Sequence, residues 1–176
     1  PDYIDDGYKG AGKLTGKRVL ISGGDSGIGR AVALHMAREG AKVAIIYHSA
    51  EDKAEETRKG LEAEGAEALV IQGDTGKSAD CDAAVARVVE AWGGIDVLVN
   101  NAGFQKPYHT LDEVSDEDWR AHFDVNMAGM FFLSRAALRH MPDDGAIVNT
   151  SSINAFVGND ALLPYSATKG AITTFT

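Results

Sequence analysis

The stretch "RVLISGGDSGIGRAVALHMAREG", residues 18–40, decides how the rest of the chain is read. A short apolar run from Arg18 to Ser22 leads into a cluster of glycines. Apolar residues at helical spacing follow and stop at Gly40, a C-cap position. Gly23, Gly27 and Gly29 therefore fall at a strand-to-helix turn, where each has a physical task. One permits the tight turn, one lets the backbone approach a pyrophosphate, and one lets the helix pack close to the strand. The first turn of the helix, with Ser26 and Ile28 beside the glycines, offers free N–H groups and a partial positive charge to an anion.

The same alternation continues outward from this unit. "KVAIIY" reads as a second strand, and Ser49 with Asp52 as a capping box that opens a charged helix closing at Gly65. "EALVIQ" is a third strand. An amphipathic helix near residues 79–92 follows, with a stripe of Val85, Val88, Val89 and Trp92. "IDVLVN" is a fourth strand. Ser115 and Asp118 form a second capping box, starting a long helical segment that ends near Met141. "GAIVNTS" is a fifth strand, and Pro164 sits in the first turn of a final helix. Apolar strands joined by helices imply a parallel sheet covered on both faces, with right-handed crossovers. The expected fold is thus α/β, a single Rossmann-like doubly wound domain over residues 17–176. Residues 1–16, with no apolar periodicity, read as an extended, mostly irregular N-terminal arm.

Bulk properties exclude several alternatives. The chain has 176 residues, 44% hydrophobic and 24% charged, with a net charge of -9. That charge argues against a nucleic-acid surface, and no apolar stretch is long enough for a membrane span. The single Cys81 rules out an internal disulfide and a cysteine-rich zinc site, and fits a reducing cytosol. His35, His48, His109, His122 and His140 show no metal-ligand spacing, so no metal is expected. A cytoplasmic location is expected, since no signal-peptide pattern is visible. The chain begins at Pro1 without an initiator methionine, which leaves a preceding segment open.

The end of the second strand bears on which dinucleotide such a turn would hold. An acid there would grip a ribose 2′-hydroxyl and mark NAD. Tyr47, His48 and Ser49 occupy that region instead, and the first acids, Glu51 and Asp52, lie on the next helix. No built-in repulsion opposes a 2′-phosphate, yet no arginine or lysine is present to attract one. NADP is slightly preferred over NAD.

Further motifs recur in a fixed order: "SGGDSGIG" (22–29), Asp74 in "GDT", "NNAG" (100–103), Asn126 in "DVN", "IVNTSS" (147–152) and "YSATK" (165–169). Together they resemble the short-chain dehydrogenase/reductase family over nearly the whole chain. The arm and the "GGDSGIGRAVA" stretch further resemble a bacterial subgroup of general stress or glucose-dehydrogenase-like proteins. The resemblance implies that Asp74, with Thr75, contacts the adenine, and that Asn101, Ala102, Gly103 and Thr150 line the cofactor. Asn100 braces the sheet centre in that reading, and a turn-forming role for Asp74 stays open beside it. Asn126, unusual inside a helix, is implied to kink that helix and to hold a water next to a lysine.

Tyr165 and Lys169 are four residues apart, hence on one helix face. A nearby ammonium favours the phenolate and brings the tyrosine toward a working pH. Ser152, thirteen residues earlier at the end of the fifth strand, can reach the same spot to hydrogen-bond a substrate oxygen. Ser151 is the rival serine, and the family's spacing favours Ser152. The set Asn126, Ser152, Tyr165 and Lys169 implies hydride transfer between a nicotinamide cofactor and a carbonyl or secondary alcohol. Tyr165 is the acid/base in that scheme, and Lys169 also holds the nicotinamide ribose. A catalytically silent cofactor-binding sensor is the alternative, against which the intact set argues. A nucleotide-sugar epimerase is disfavoured by the glycine spacing and by "NNAG". The resemblance also implies a homotetramer or dimer, and further strands with a substrate-covering loop beyond Thr176. The chain is accordingly read as truncated on its C-terminal side, with sheet and helix surface left uncovered.

Overall fold

The computed structural model describes residues 3–5 and 7–176; Pro1, Asp2 and Asp6 of the arm lie outside the described residues. The strands are β1 (Arg18–Ser22), β2 (Lys42–Tyr47), β3 (Ala68–Gln72), β4 (Val97–Asn100) and β5 (Ala146–Asn149). They pair in parallel in the order β3-β2-β1-β4-β5. The order reverses between β2 and β4 about β1, and a doubly wound sheet binds its ligands at such a switch point. The helices are α1 (Gly27–Arg38), α2 (Glu51–Ala63), α3 (Ser78–Trp92), α4 (Asp116–Phe123), α5 (Gly129–Leu138) and α6 (Leu163–Phe175).

Because strand side chains alternate, each apolar run feeds two cores. Val19, Ile21, Val43, Ile45 and Val99 face α1 and α2, packing against Ala33, Leu34, Ala54 and Leu61. Leu20, Ala44, Ile46 and Leu98 face the other way, against Val85 and Val88 of α3 and Leu133 and Ala137 of α5. The central strands are buried on both sides, which is why they read as unbroken apolar runs rather than as an alternation. β5, at the edge, exposes Ala146 and Val148.

Several sequence expectations hold locally, and others fail for identifiable reasons. Gly40 and Gly65 follow the ends of α1 and α2 with φ of 93° and 82°, the left-handed conformation that closes a helix. The second capping box is half formed. Ser115 accepts the Asp118 N–H at 3.0 Å, while the Asp118 carboxylate turns away to Lys106 at 2.7 Å. The first capping box does not form. α2 is capped one residue later than expected, by Ala50 with no side-chain bond, and its acids Glu51 and Asp52 meet the helix dipole instead. Ser49 is left exposed. The long helical segment runs unbroken from Asp116 to Leu138, but its middle is not α-helical. Residues Asp124–Ala128 form a π-turn between α4 and α5, and α5 ends at Leu138.

The arm contains no helix or strand among the described residues, as expected, but it is docked. Glu39, just past α1, accepts the Tyr8 hydroxyl together with the N–H groups of Ala11 and Lys13 at 3.0 and 2.9 Å. These donors, the Tyr8 hydroxyl foremost and the Lys13 amide next, pull the Glu39 carboxyl down to about 2. Arg38 donates to the Asp5 and Tyr8 carbonyls at 2.8 and 3.0 Å, and Tyr3, Ile4 and Leu14 pack on the α1/α2 core.

At the opposite end of β1, Asp96 takes the Arg18 N–H, Nε and Nη2 at 2.8, 2.7 and 3.0 Å. The pair fixes the start of β1 against β4, and the Arg18 guanidinium holds the Asp96 carboxyl below the ordinary aspartate value. A carboxyl lowered on folding stabilises the fold above its unfolded value, about 3.9. The contribution vanishes as pH falls through the lower folded value. Asp96→Asn is expected to cost about 2 kcal/mol in denaturant unfolding at pH 7, discounted from a fully buried pair because Arg18 keeps some solvent contact. The difference between variant and wild type should shrink on acidification below pH of about 4. An unchanged unfolding midpoint at pH 7 would contradict this role.

Candidate active site

The ends of β1 and β4 lie side by side, and the chain stitches them together with polar side chains. Ser22 Oγ accepts the Asn101 and Ala102 N–H groups, both at 3.0 Å. Asn101 Nδ2 returns to the Ser22 and Gly23 carbonyls at 3.2 and 3.1 Å. Asn100 works further in, donating to Ser134 on α5 at 3.1 Å and Asn149 on β5 at 2.9 Å. These bonds join the glycine turn, the "NNAG" segment and the end of β5 into one floor.

Two of the glycines adopt left-handed backbone, and a third sits where the turn and helix come closest. Gly23 has φ of 65° and Gly27 of 51°, conformations that side-chain-bearing residues rarely adopt. Gly29 is the close-approach position: a Cβ there would stand 2.1 Å from the Gly23 carbonyl oxygen and 2.5 Å from Asn101 Nδ2. The turn and helix therefore pack at a distance no other residue permits.

Above this floor opens a cleft of about 570 Å³. Of the residues singled out in the sequence, Gly23, Ser26, Ile28, Tyr47, His48, Asp74, Thr75, Asn101, Ala102, Gly103, Thr150, Tyr165 and Lys169 line it. Gly27, Gly29, Ser49, Asn126 and Ser152 do not. The two glycines shape the turn from behind. Six further lining residues escaped the sequence reading: Asp25, Ile46, Gly73, Phe104, Gln105 and Val125. Asp25, Gly73 and Val125 lie inside the marked motifs "SGGDSGIG", "GDT" and "DVN", and Phe104 directly follows "NNAG", so membership or adjacency was the available signal; for Gln105 the sequence carries none. Asp74 lines the cleft and also closes a turn, its Oδ1 accepting the Gly76 N–H at 3.0 Å.

Lys169 is 3% exposed, and its Nζ donates to the Thr150 carbonyl at 2.6 Å. Burial pushes its ammonium below the ordinary lysine value. Its Nζ stands 5.4 Å from the centre of the half-buried Tyr165 ring, so the four-residue spacing does bring the two together on one cleft wall. Ser152 Oγ accepts the Asn154 N–H at 3.2 Å, which leaves its own proton to donate. Ser151 is spent elsewhere, bonded to Thr173 at 3.0 Å and to the Lys169 carbonyl at 3.4 Å.

Asn126, 1% exposed, sits in the π-turn. Its Oδ1 accepts the Phe104 N–H at 2.6 Å, and its Nδ2 donates to the Phe104 carbonyl and to Thr168 Oγ1, both at 3.0 Å. The side-chain amide thereby braces the "NNAG" loop against α6. One turn earlier the buried His122 ring packs 4.5 Å from Phe104 and supports the same loop. Among the described residues no cluster of three His, Cys, Asp or Glu is placed to hold a metal, and no helix is long and apolar enough to cross a membrane.

Comparison with known proteins matches this arrangement. The family described as "short chain dehydrogenase" fits residues 17–176. General stress protein 39 of Bacillus subtilis (strain 168) is 47% identical over 176 residues, covering 100% of this chain and 62% of its own length. Glucose and ribitol dehydrogenase of Daucus carota is 45% identical over 182 residues, covering 100% and 62%. The chain thus spans less than two thirds of these relatives. A short chain dehydrogenase from Burkholderia cenocepacia J2315, solved in complex with NADP, superposes with a TM-score of 0.89 at 41% identity, over 93% of this chain and 66% of that one. A fit running from the first strand to the last residue, relatives aligned along the entire chain and a superposable fold together establish that the chain belongs to the short chain dehydrogenase family.

Proposed function

We propose that the protein is an NADP(H)-dependent oxidoreductase that interconverts a carbonyl and a secondary alcohol, with Tyr165 as the general acid and base. The observation that carries this reading is the buried Lys169 beside Tyr165, on the wall of the cleft that the glycine turn enters. The cleft fits a dinucleotide: the left-handed Gly23 and the close packing at Gly29 let backbone N–H groups meet phosphates. The superposable dehydrogenase binds NADP, and a polyol dehydrogenase is among the relatives. When bound, the nicotinamide supplies or accepts the hydride.

The chain's own groups do the rest. In the reducing direction the Tyr165 hydroxyl gives its proton to the carbonyl oxygen as the carbon is reduced. Ser152, with its proton free, donates a hydrogen bond to that oxygen and stabilises the charge gathering on it. Lys169 stands with its Nζ 5.4 Å from the centre of the Tyr165 ring and holds the nicotinamide ribose. Asn126 fixes Phe104 and Thr168 and would anchor the water that relays protons beside Lys169. Ser26, Ile28, Gly103 and Thr150 line the dinucleotide path, with Asp74 and Thr75 at the adenine. The exposed Trp119, Phe131 and Leu138 of α4 and α5 support assembly as a homodimer or tetramer.

The Tyr165→Phe variant is expected to lose at least about a hundredfold in kcat with its NADPH dissociation constant within about twofold of wild type. Full turnover in that variant would sink the assignment. Binding of NADPH by the wild type with no turnover across a carbonyl panel would favour a silent sensor.

Cofactor choice is open to a separate check at the end of β2. His48 is exposed on the cleft and carries no fixed charge partner there. His48→Asp would add an anion beside a 2′-phosphate. It is expected to raise the KM for NADPH by about tenfold and to leave or lower that for NADH. An equal change for both cofactors would contradict the placement of the 2′-phosphate at this strand end.

A further inference from the structure

Arg30, in the first turn of α1, is 9% exposed, and its guanidinium is turned inward rather than toward the cleft. Its Nε and Nη2 donate to the Asp25 carbonyl at 3.0 and 2.6 Å, and Nη2 also donates to the Lys53 carbonyl at 2.7 Å. Its Nη1 pairs with Glu56 at 3.1 Å. Thr57 Oγ1 reaches the same Asp25 carbonyl at 3.4 Å. One buried fork thus ties the glycine turn to the first half of α2, which follows the strand end proposed to meet the adenosine ribose. The free face of the fork is covered by the arm: the Arg30 guanidinium carbon lies 4.8 Å from the centre of the Tyr3 ring.

A trans peptide directs its carbonyl and the next N–H to opposite sides. With the Asp25 carbonyl drawn onto Arg30, the Ser26 N–H is turned away from the guanidinium, and Ser26 lines the cleft. We propose that Arg30, capped by Tyr3 of the N-terminal arm, is a positioning unit that sets the Asp25–Ser26 peptide of the turn for a cofactor phosphate. The arm is then part of the cofactor site at one remove. Its anchor at Glu39 and Arg38 holds Tyr3 in register along α1, and Tyr3 excludes water from the carbonyl–guanidinium bonds. A lysine at position 30 keeps the charge but lacks the planar fork that serves Asp25, Lys53 and Glu56 together. This inference rests on the proposed dinucleotide site.

The test is a fluorescence titration of the full-length protein with NADPH, paired with steady-state kinetics and thermal unfolding, for wild type, Arg30→Lys, Tyr3→Ala and Tyr3→Phe. Arg30→Lys should weaken NADPH binding by about tenfold and raise the cofactor KM in parallel, with kcat at saturating cofactor within about twofold of wild type. Tyr3→Ala should weaken binding about threefold, and Tyr3→Phe, which keeps the ring face, should bind as wild type. If Arg30→Lys does not fold, the two Tyr3 variants decide the matter. Wild-type affinity in Arg30→Lys or Tyr3→Ala, even with lowered thermal stability, overturns the proposal by reducing the unit to a structural one. So does a Tyr3→Phe variant as weak as Tyr3→Ala. A wild type that binds no NADPH overturns the dinucleotide reading itself, a different result from wild-type binding that the variants leave unmoved.

Discussion

The seam between β1 and β4 is the constraint on which the rest of this structure depends. Parallel strands end at one edge of a sheet, and here two of them end together at the point where the strand order reverses. Backbone groups at strand ends lack ladder partners and must find others. Ser22 and Asn101 supply them reciprocally, each side chain serving the other strand's backbone. The seam sets how near the glycine turn comes to the "NNAG" segment. That distance is so short that a Cβ at Gly29 would strike both. The cleft is the space left above the seam.

The cleft wall that carries Tyr165 and Lys169 is held by a second set of braces that converge from elements distant in the chain. Asn126 in the π-turn clamps Phe104 and Thr168, and Lys169 is fixed by the Thr150 carbonyl. A π-turn widens the helix locally and marks a place where a side chain has a tertiary duty stronger than the regular i→i−4 ladder. Each brace is a hydrogen bond in a nearly dry environment, where an unmade bond costs more than a made one contributes. The result is a wall of fixed polar groups around a tyrosine, the preorganised kind of site that general acid–base chemistry requires.

What the sequence disclosed followed the range of the interactions involved. The strands, the left-handed Gly23, Gly40 and Gly65, the Ser115 cap and the Tyr165–Lys169 pairing depend on residues within one turn or one strand of each other. Local chemistry decides them. Ser49 misled because a Ser-x-x-Asp pattern competes with a helix that starts one residue later, and the helix dipole is satisfied equally by Glu51 and Asp52. The π-turn at Asn126 was legible as an oddity, but its partner Phe104 lies 22 residues away, so the brace itself was not. The docked arm was invisible for a similar reason. Two of the donors to Glu39 are backbone N–H groups, which every residue but proline carries and no pattern advertises. Arg30 reads in sequence as an ordinary helix residue, because its partners Asp25 and Lys53 offer carbonyls rather than side chains.

The proposed cofactor seat is the cleft over the β1/β4 seam, with the nicotinamide at Tyr165. A crystal structure of the full-length protein with NADPH tests it most directly. Pyrophosphate is expected at the N-terminus of α1, ribose hydroxyls bonded to Lys169 and Tyr165, and the nicotinamide ring facing the Tyr165 hydroxyl. NADPH seated outside this cleft, or running through it with the nicotinamide away from Tyr165, would contradict it.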